Sequence, residues 1–272
     1  MSQQPFSNSW EDKIDTLAVY TGMLVISLTK ISQDKRDIII RNFIARGMVC
    51  TQSILRLWRT NDEQGAWILH RTLMDRLFHL HALIQKDSFS QFEDFSFVKT
   101  YEARERLLCD PDMAKKIPAS LSELQKTGKT RYQEIKSKGR LWSRPKAEDV
   151  AKEMNMLFLY NLGYDYGSTH IHPMAQDGES DYELLITPEM KRKPLTDETV
   201  LRNSLIIQTM LIQEGMNGTT VRWRRIVYDF LDQIMRSLED GNIQYAETFY
   251  KIGKAYPDFN LCEKRNLNDK QE

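Results

Sequence analysis

Twelve glycines and eight prolines in 272 residues are too few for a chain built from many short strands and tight turns. Sheet proteins use those residues at every turn, whereas helical proteins need them mainly at helix ends. An all-α chain with no significant sheet is therefore expected. Its residues are 41% hydrophobic and 28% charged, the balance of a globular protein with a sizeable core.

Apolar residues recur at helical spacing along most of the chain. Helices are predicted over 10–31 (Ile14, Leu17, Leu24, Ile31), 34–59 (Ile38, Phe43, Ile54, Leu57), 62–86 (Trp67, Leu73, Leu77, Leu80) and 90–109. Between 111 and 144 the apolar residues thin out and Gly128 and Gly139 interrupt, so a short helix and a basic loop are expected there. Ser143 and Pro145 read as the cap and first turn of a helix running to His172, where Pro173 stops it. A long loop over 173–195 follows, then helices over 197–216, 219–239 and 243–254. The expected architecture is a multi-helix bundle of about eight helices. Its main domain covers 10–175, with C-terminal helices over 196–256 packed on it and a disordered tail over 257–272.

Lysines plus arginines and aspartates plus glutamates each number 38, so a globally basic nucleic-acid binder is excluded while local charge is not. Cys50, Cys109 and Cys262 are far apart and odd in number, which argues against a disulfide framework and points to a reducing, cytoplasmic setting. The N-terminus lacks the basic start and apolar run of a signal peptide. The most apolar run, Thr16 to Thr29, has 14 residues. A spanning helix needs about 20, so no membrane partner is expected.

Three groups of residues could carry chemistry. On the helix over 62–86, Arg71 and Asp75 are four apart and share a face, and the apolar neighbours Trp67, Leu73, Met74 and Leu77 suggest a buried ion pair. If Asp75 is buried against Arg71, Arg71→Ala should cost about 3–5 kcal/mol. Tyr164, Ser168 and His172 are also spaced by four and present a phenol, a hydroxyl and an imidazole along one helical row. His170 and His172 diverge at a spacing of two and no ligand motif completes them, so no metal and no cofactor is expected. The third group is basic: Lys129, Arg131, Lys136, Lys138 and Arg140, with Trp142 close by, a pattern suited to phosphates and stacked bases.

The Arg71-x-x-x-Asp75 helix, Trp142 and the Tyr164-x-x-x-Ser168-x-x-x-His172-Pro173 segment together resemble a bacterial all-helical family known only as a domain of unknown function. The resemblance covers about 35–175, and Asp75 stands where that family usually carries glutamate. It implies the helical fold and carries no reaction with it. A weaker resemblance joins Arg76 and His81, an Arg-x4-His string, to the HEPN superfamily of helical, often metal-independent RNases, with Leu77 at a position usually polar there. That resemblance implies Arg76 as a phosphate clamp and His81 as an acid or base.

The leading expectation is a cytoplasmic prokaryotic protein acting on nucleic acid, a metal-independent RNase of defence or toxin type. Arg71, Asp75, Ser168 and His172 would form its catalytic site and the basic residues would hold RNA or another polyanion. The alternative is a non-catalytic binding or scaffold subunit of a multi-component system, with a second copy or another protein as partner. A third reading is a sensor whose pocket takes a nucleotide-like anion.

Overall fold

The computed structural model describes residues 9–116, 118–139, 142–172, 182, 185–187 and 193–255. Among the described residues every regular element is helical and no strand occurs. Among the described residues there are more helices than the eight expected, because the segment read as one helix from Ser143 to His172 is divided and much of the expected basic loop is helix. The chain forms two compact units: residues 1–81 with 146–272, and residues 82–145. The helices beyond 196 share a unit with the N-terminal helices. The tail expected to be disordered, 257–272, and most of the loop expected over 173–195 lie outside the described residues.

In the first unit, α1 (Trp10–Ile31) opens on Ser9, whose Oγ accepts the Asp12 N–H at 3.1 Å, and carries Glu11 and Asp12 in its first turn. Both features suit the positive end of a helix dipole. α2 (Lys35–Arg59) buries Ile40, Ile44, Gly47, Thr51 and Ile54, one stripe along its length. α3 (Glu63–Gln85) buries Leu73, Met74, Leu77, Phe78 and Leu80.

The helix enclosed on most sides is α10 (Thr199–Gly218), which buries Leu201, Leu205, Leu211, Ile212 and Met216 together with polar Asn203, Ser204 and Gln208. α2 lies against it at glycine distance. A Cβ on Gly215 would come 2.7 Å from Ile44 Cδ1, and one on Gly47 would collide with Leu211 and Gln208. Gln208 Nε2 donates to the Ile44 carbonyl at 3.4 Å, a helix-to-helix bond that only this close approach permits. α11 (Arg224–Glu239) and α12 (Gln244–Ala255) complete the unit, with Val227, Phe230, Ile234 and Tyr245 buried.

By length and composition, α1 and α2 are both apolar enough to cross a membrane, which the 14-residue run did not suggest. Core helices of soluble bundles meet the same measure, and here Ile14, Leu17, Ile40, Ile44 and Ile54 are fully buried within the protein.

The second unit is built on α4 (Phe89–Cys109), the short α5 (Pro111–Ala114) and α6 (Ala119–Ser137). The expected basic loop is mostly helix. Gly128 sits inside α6, facing Phe97 and Tyr101 at contact distance, and does not break it. Gly139, at φ 71°, follows the helix end in the left-handed conformation that glycine favours. Tyr132 stacks on Tyr101 with centroids 4.3 Å apart, and Gln125 Nε2 donates to the Tyr101 carbonyl at 3.3 Å. Aromatic packing thus supplies what the sparse aliphatic pattern lacked.

The helix expected to run from Ser143 to His172 is four pieces. α7 (Ala147–Glu153) is closed by Asn155 at φ 55°, with the Met156 N–H reaching back to the Ala151 carbonyl at 2.7 Å. One turn, α8 (Leu157–Leu159), leads into a π-helix (Tyr160–Asp165) and then α9 (Tyr166–Thr169).

Candidate functional site

The π-helix decides which side chains meet α3. Its hydrogen bonds run from i to i+5, so the residues it presents depart from the simple spacing of four. Two glycines bring it close. A Cβ on Gly163 would lie 2.6 Å from His70 Nε2, and one on Gly167 would lie 2.8 Å from the Trp67 carbonyl oxygen.

At that distance Tyr164 reaches between Arg71 and Asp75. Its hydroxyl accepts from Arg71 Nη2 at 3.3 Å and donates to Asp75 Oδ1 at 3.0 Å, while the guanidinium carbon stands 4.7 Å from the phenol ring centroid. Tyr160 stacks on Tyr164 from one turn earlier, with centroids 5.1 Å apart. Burial, reinforced by the Asp75 carboxylate, pushes the phenol up to about 12 against the opposing pull of Arg71. The hydroxyl is therefore a neutral link at physiological pH.

The direct Arg71–Asp75 ion pair expected from their spacing is replaced by this bridge. Asp75 is only half-buried and keeps the Tyr164 hydroxyl when Arg71 is lost, so the 3–5 kcal/mol expected for Arg71→Ala is too large. Tyr164→Phe removes both bonds while keeping the ring. It is expected to cost about 1–2 kcal/mol, read as a lower urea midpoint. A midpoint equal to wild type would show that the bridge contributes nothing.

Ser168 and His172 do not join Arg71 and Asp75. Ser168 Oγ donates to the Tyr164 carbonyl at 2.7 Å, a local bond within the helix, and the His172 side chain is exposed beyond the end of α9. His170 instead turns inward. Its ring meets Tyr166 edge-on at 4.8 Å and Tyr166 meets Trp67 at 5.1 Å, which leaves His170 Nε2 buried without a partner. Arg71 Nε is a second such atom.

Arg76 and His81 lie on the same helix, α3. His81 Nδ1 lies 2.9 Å from Glu214 Oε1 of α10, and Arg76 Nε is buried without a hydrogen-bond partner.

Two of the five basic residues, Arg131 and Lys136, are matched by acids on α4. Arg131 lies 3.2 Å from Glu93 and 3.5 Å from Asp94, with its guanidinium over the Phe97 ring at 4.4 Å. Lys136 lies 2.8 Å from Glu102; that hydrogen bond raises the lysine's pKa and lowers the glutamate's. Trp142 is 9% exposed and packs edge-on against Phe92 and Phe95, so it is no platform for a base. Lys129 and Lys138 are exposed, and Arg140 lies outside the described residues. Among the described residues no group of three or more His, Cys, Asp or Glu side chains is placed to hold a metal ion.

The glycines that seat the π-helix were not singled out from the sequence. The signal was Gly163-x-x-x-Gly167 enclosing Tyr164, small residues spaced to let two helices touch. His70, bonded through Nδ1 to Ser204 Oγ at 3.0 Å and 1% exposed, was read only as one of three histidines on a single helix.

Comparison with curated proteins and with solved structures gives no match. A family model does match, over residues 37–183, a span that includes Arg71, Asp75, Tyr164, Ser168 and His172. The matched span exceeds half of the chain, and the chain belongs to this family of unknown function, DUF5677.

Proposed function

We propose that this protein is a non-catalytic helical binding protein of the cytoplasm, a recognition or scaffold subunit of a multi-component system. The observation that carries the reading is the braced π-helix. Arg71, Tyr164 and Asp75, with Gly163 and Gly167, hold it against α3, while Leu157, Phe158, Leu162 and Ile171 on and beside it are exposed, Phe158 to 73%. Exposed apolar side chains on a fixed backbone suit partner recognition, and π-helical turns concentrate at functional positions. The same brace argues against acid–base chemistry. A phenol raised to about 12 exchanges no proton near neutrality, and Ser168 has given its hydroxyl to a carbonyl.

The second reading is a nucleic-acid-acting protein of the metal-independent RNase type, with a defence or toxin role. It is supported by the exposure of His172, Lys129 and Lys138. Purified protein incubated with mixed RNA, with and without divalent metal, separates the two. The binding reading expects no cleavage by wild type. Cleavage by wild type that disappears in His172→Ala overturns it in favour of the RNase.

A further inference from the structure

A concave site lies in the first unit and shares no residue with the Arg71–Tyr164–Asp75 brace. It is a cleft of about 810 Å³ where the start of α1, the end of α2 and the start of α10 come together, walled by Trp10, Lys13, Trp58, Thr199 and Arg202 among others. That volume falls within the range of roughly 300–1,000 Å³ typical of small-molecule sites.

The walls are preformed. Trp58 Nε1 donates to the Asp197 carbonyl at 2.9 Å, which fixes one indole. Lys13 Nζ sits 5.0 Å from the Trp10 ring centroid, on a side chain from a residue only 5% exposed. Burial lowers the Lys13 pKa, and Glu198 opposes that shift.

The carboxylates around the cleft are engaged within the protein. Asp197 Oδ1 accepts from the Thr199 N–H at 2.9 Å and from its hydroxyl at 2.6 Å. Glu11 faces Arg59 at 3.8 Å, and Glu198 is the electrostatic partner of Lys13. Arg202 differs: it is exposed, stands in the first turn of the 20-residue α10, and makes no ion pair among the described residues.

We infer that this cleft binds a small aromatic anion the size of a nucleoside monophosphate, its ring against an indole and its anionic group at Arg202. Indole faces favour planar rings, and a guanidinium favours phosphate or carboxylate.

The test is titration calorimetry on the full-length protein with AMP, adenosine, inorganic phosphate and indole-3-acetate, following tryptophan fluorescence in parallel. AMP or indole-3-acetate should bind at one site per chain, and which of them binds identifies the anion as phosphate or carboxylate. Adenosine and inorganic phosphate should bind at least about tenfold more weakly than AMP if the phosphate form is correct. Arg202→Gln, an exposed change that leaves the core untouched, should weaken the bound anion by about tenfold, whereas Tyr164→Phe should leave its affinity unchanged. Failure of both aromatic anions at millimolar concentration, or equal binding by Arg202→Gln, overturns the inference. The RNA result bears on the braced π-helix alone, so either reading can fall without the other.

Discussion

Acidification from about pH 6.5 to pH 5 is expected to remove about 2 kcal/mol of stability, and His70 is the cause. His70 is 1% exposed on α3, its Nδ1 3.0 Å from the buried Ser204 hydroxyl, and burial pulls its pKa from 6.5 down to about 3. Between those two values the unfolded chain binds a proton that the folded protein refuses, so stability falls with falling pH. Each unit within the window is worth about 1.4 kcal/mol. The lowered carboxylates contribute only further down: Glu102 and Glu148 have ordinary values of 4.5 and Asp197 of 3.8, and their share is lost below those points. The interval above pH 5 therefore leaves these carboxylates out, and comparison with a His70 variant separates this imidazole from the other four. His70→Gln keeps a hydrogen-bonding group facing Ser204 and does not titrate. Urea denaturation of both proteins at about pH 7.5 and pH 5 should show wild type losing about 2 kcal/mol more than the variant. Equal losses would mean that another group governs acid stability.

His70 also shows what was legible in the sequence and what was not. Its helix was readable from Trp67, Leu73, Leu77 and Leu80, and so was the shared face of Arg71 and Asp75, because both depend only on spacing within one helix. Tyr164 was readable as one of a row with Ser168 and His172, but its role as the link was not. That role depends on a π-helix, which forms because Gly163 and Gly167 let the backbone seat on α3, a tertiary contact invisible to a four-residue period. The same limit hid Trp142. Lysines and arginines around it suggested a nucleic-acid surface, while Phe92 and Phe95, some fifty residues earlier, are what cover its ring. The burial of α10 was not legible for a related reason: Asn203, Ser204 and Gln208 are polar in sequence, yet each is buried, Ser204 against His70 and Gln208 against the α2 backbone.

Gly167→Ala is expected to cost about 1–3 kcal/mol and to loosen the π-helix from α3. The new methyl carbon would sit 2.8 Å from the Trp67 carbonyl oxygen and 3.0 Å from Arg71 Cβ. A carbonyl oxygen is part of the α3 backbone and cannot rotate away, so the two helices must separate, drawing the Tyr164 hydroxyl from Arg71 and Asp75. Gly163→Ala acts on the neighbouring contact, 2.6 Å from His70 Nε2 and 3.2 Å from Met74 Sδ, where the imidazole is held by Ser204. Because both strain one interface, the double variant should lose less than the sum of the two. Gly22→Ala is the control. Its added Cβ meets nothing within 4 Å on the exposed side of α1, so the better helix former should stabilise by up to about 1 kcal/mol. Opposite shifts in urea midpoint, with faster amide exchange over 160–169 in Gly167→Ala and not in Gly22→Ala, are the expected pattern. If Gly167→Ala were as stable as wild type, the π-helix could not be seated on α3 as described, and the brace that supports the binding reading would fall with it.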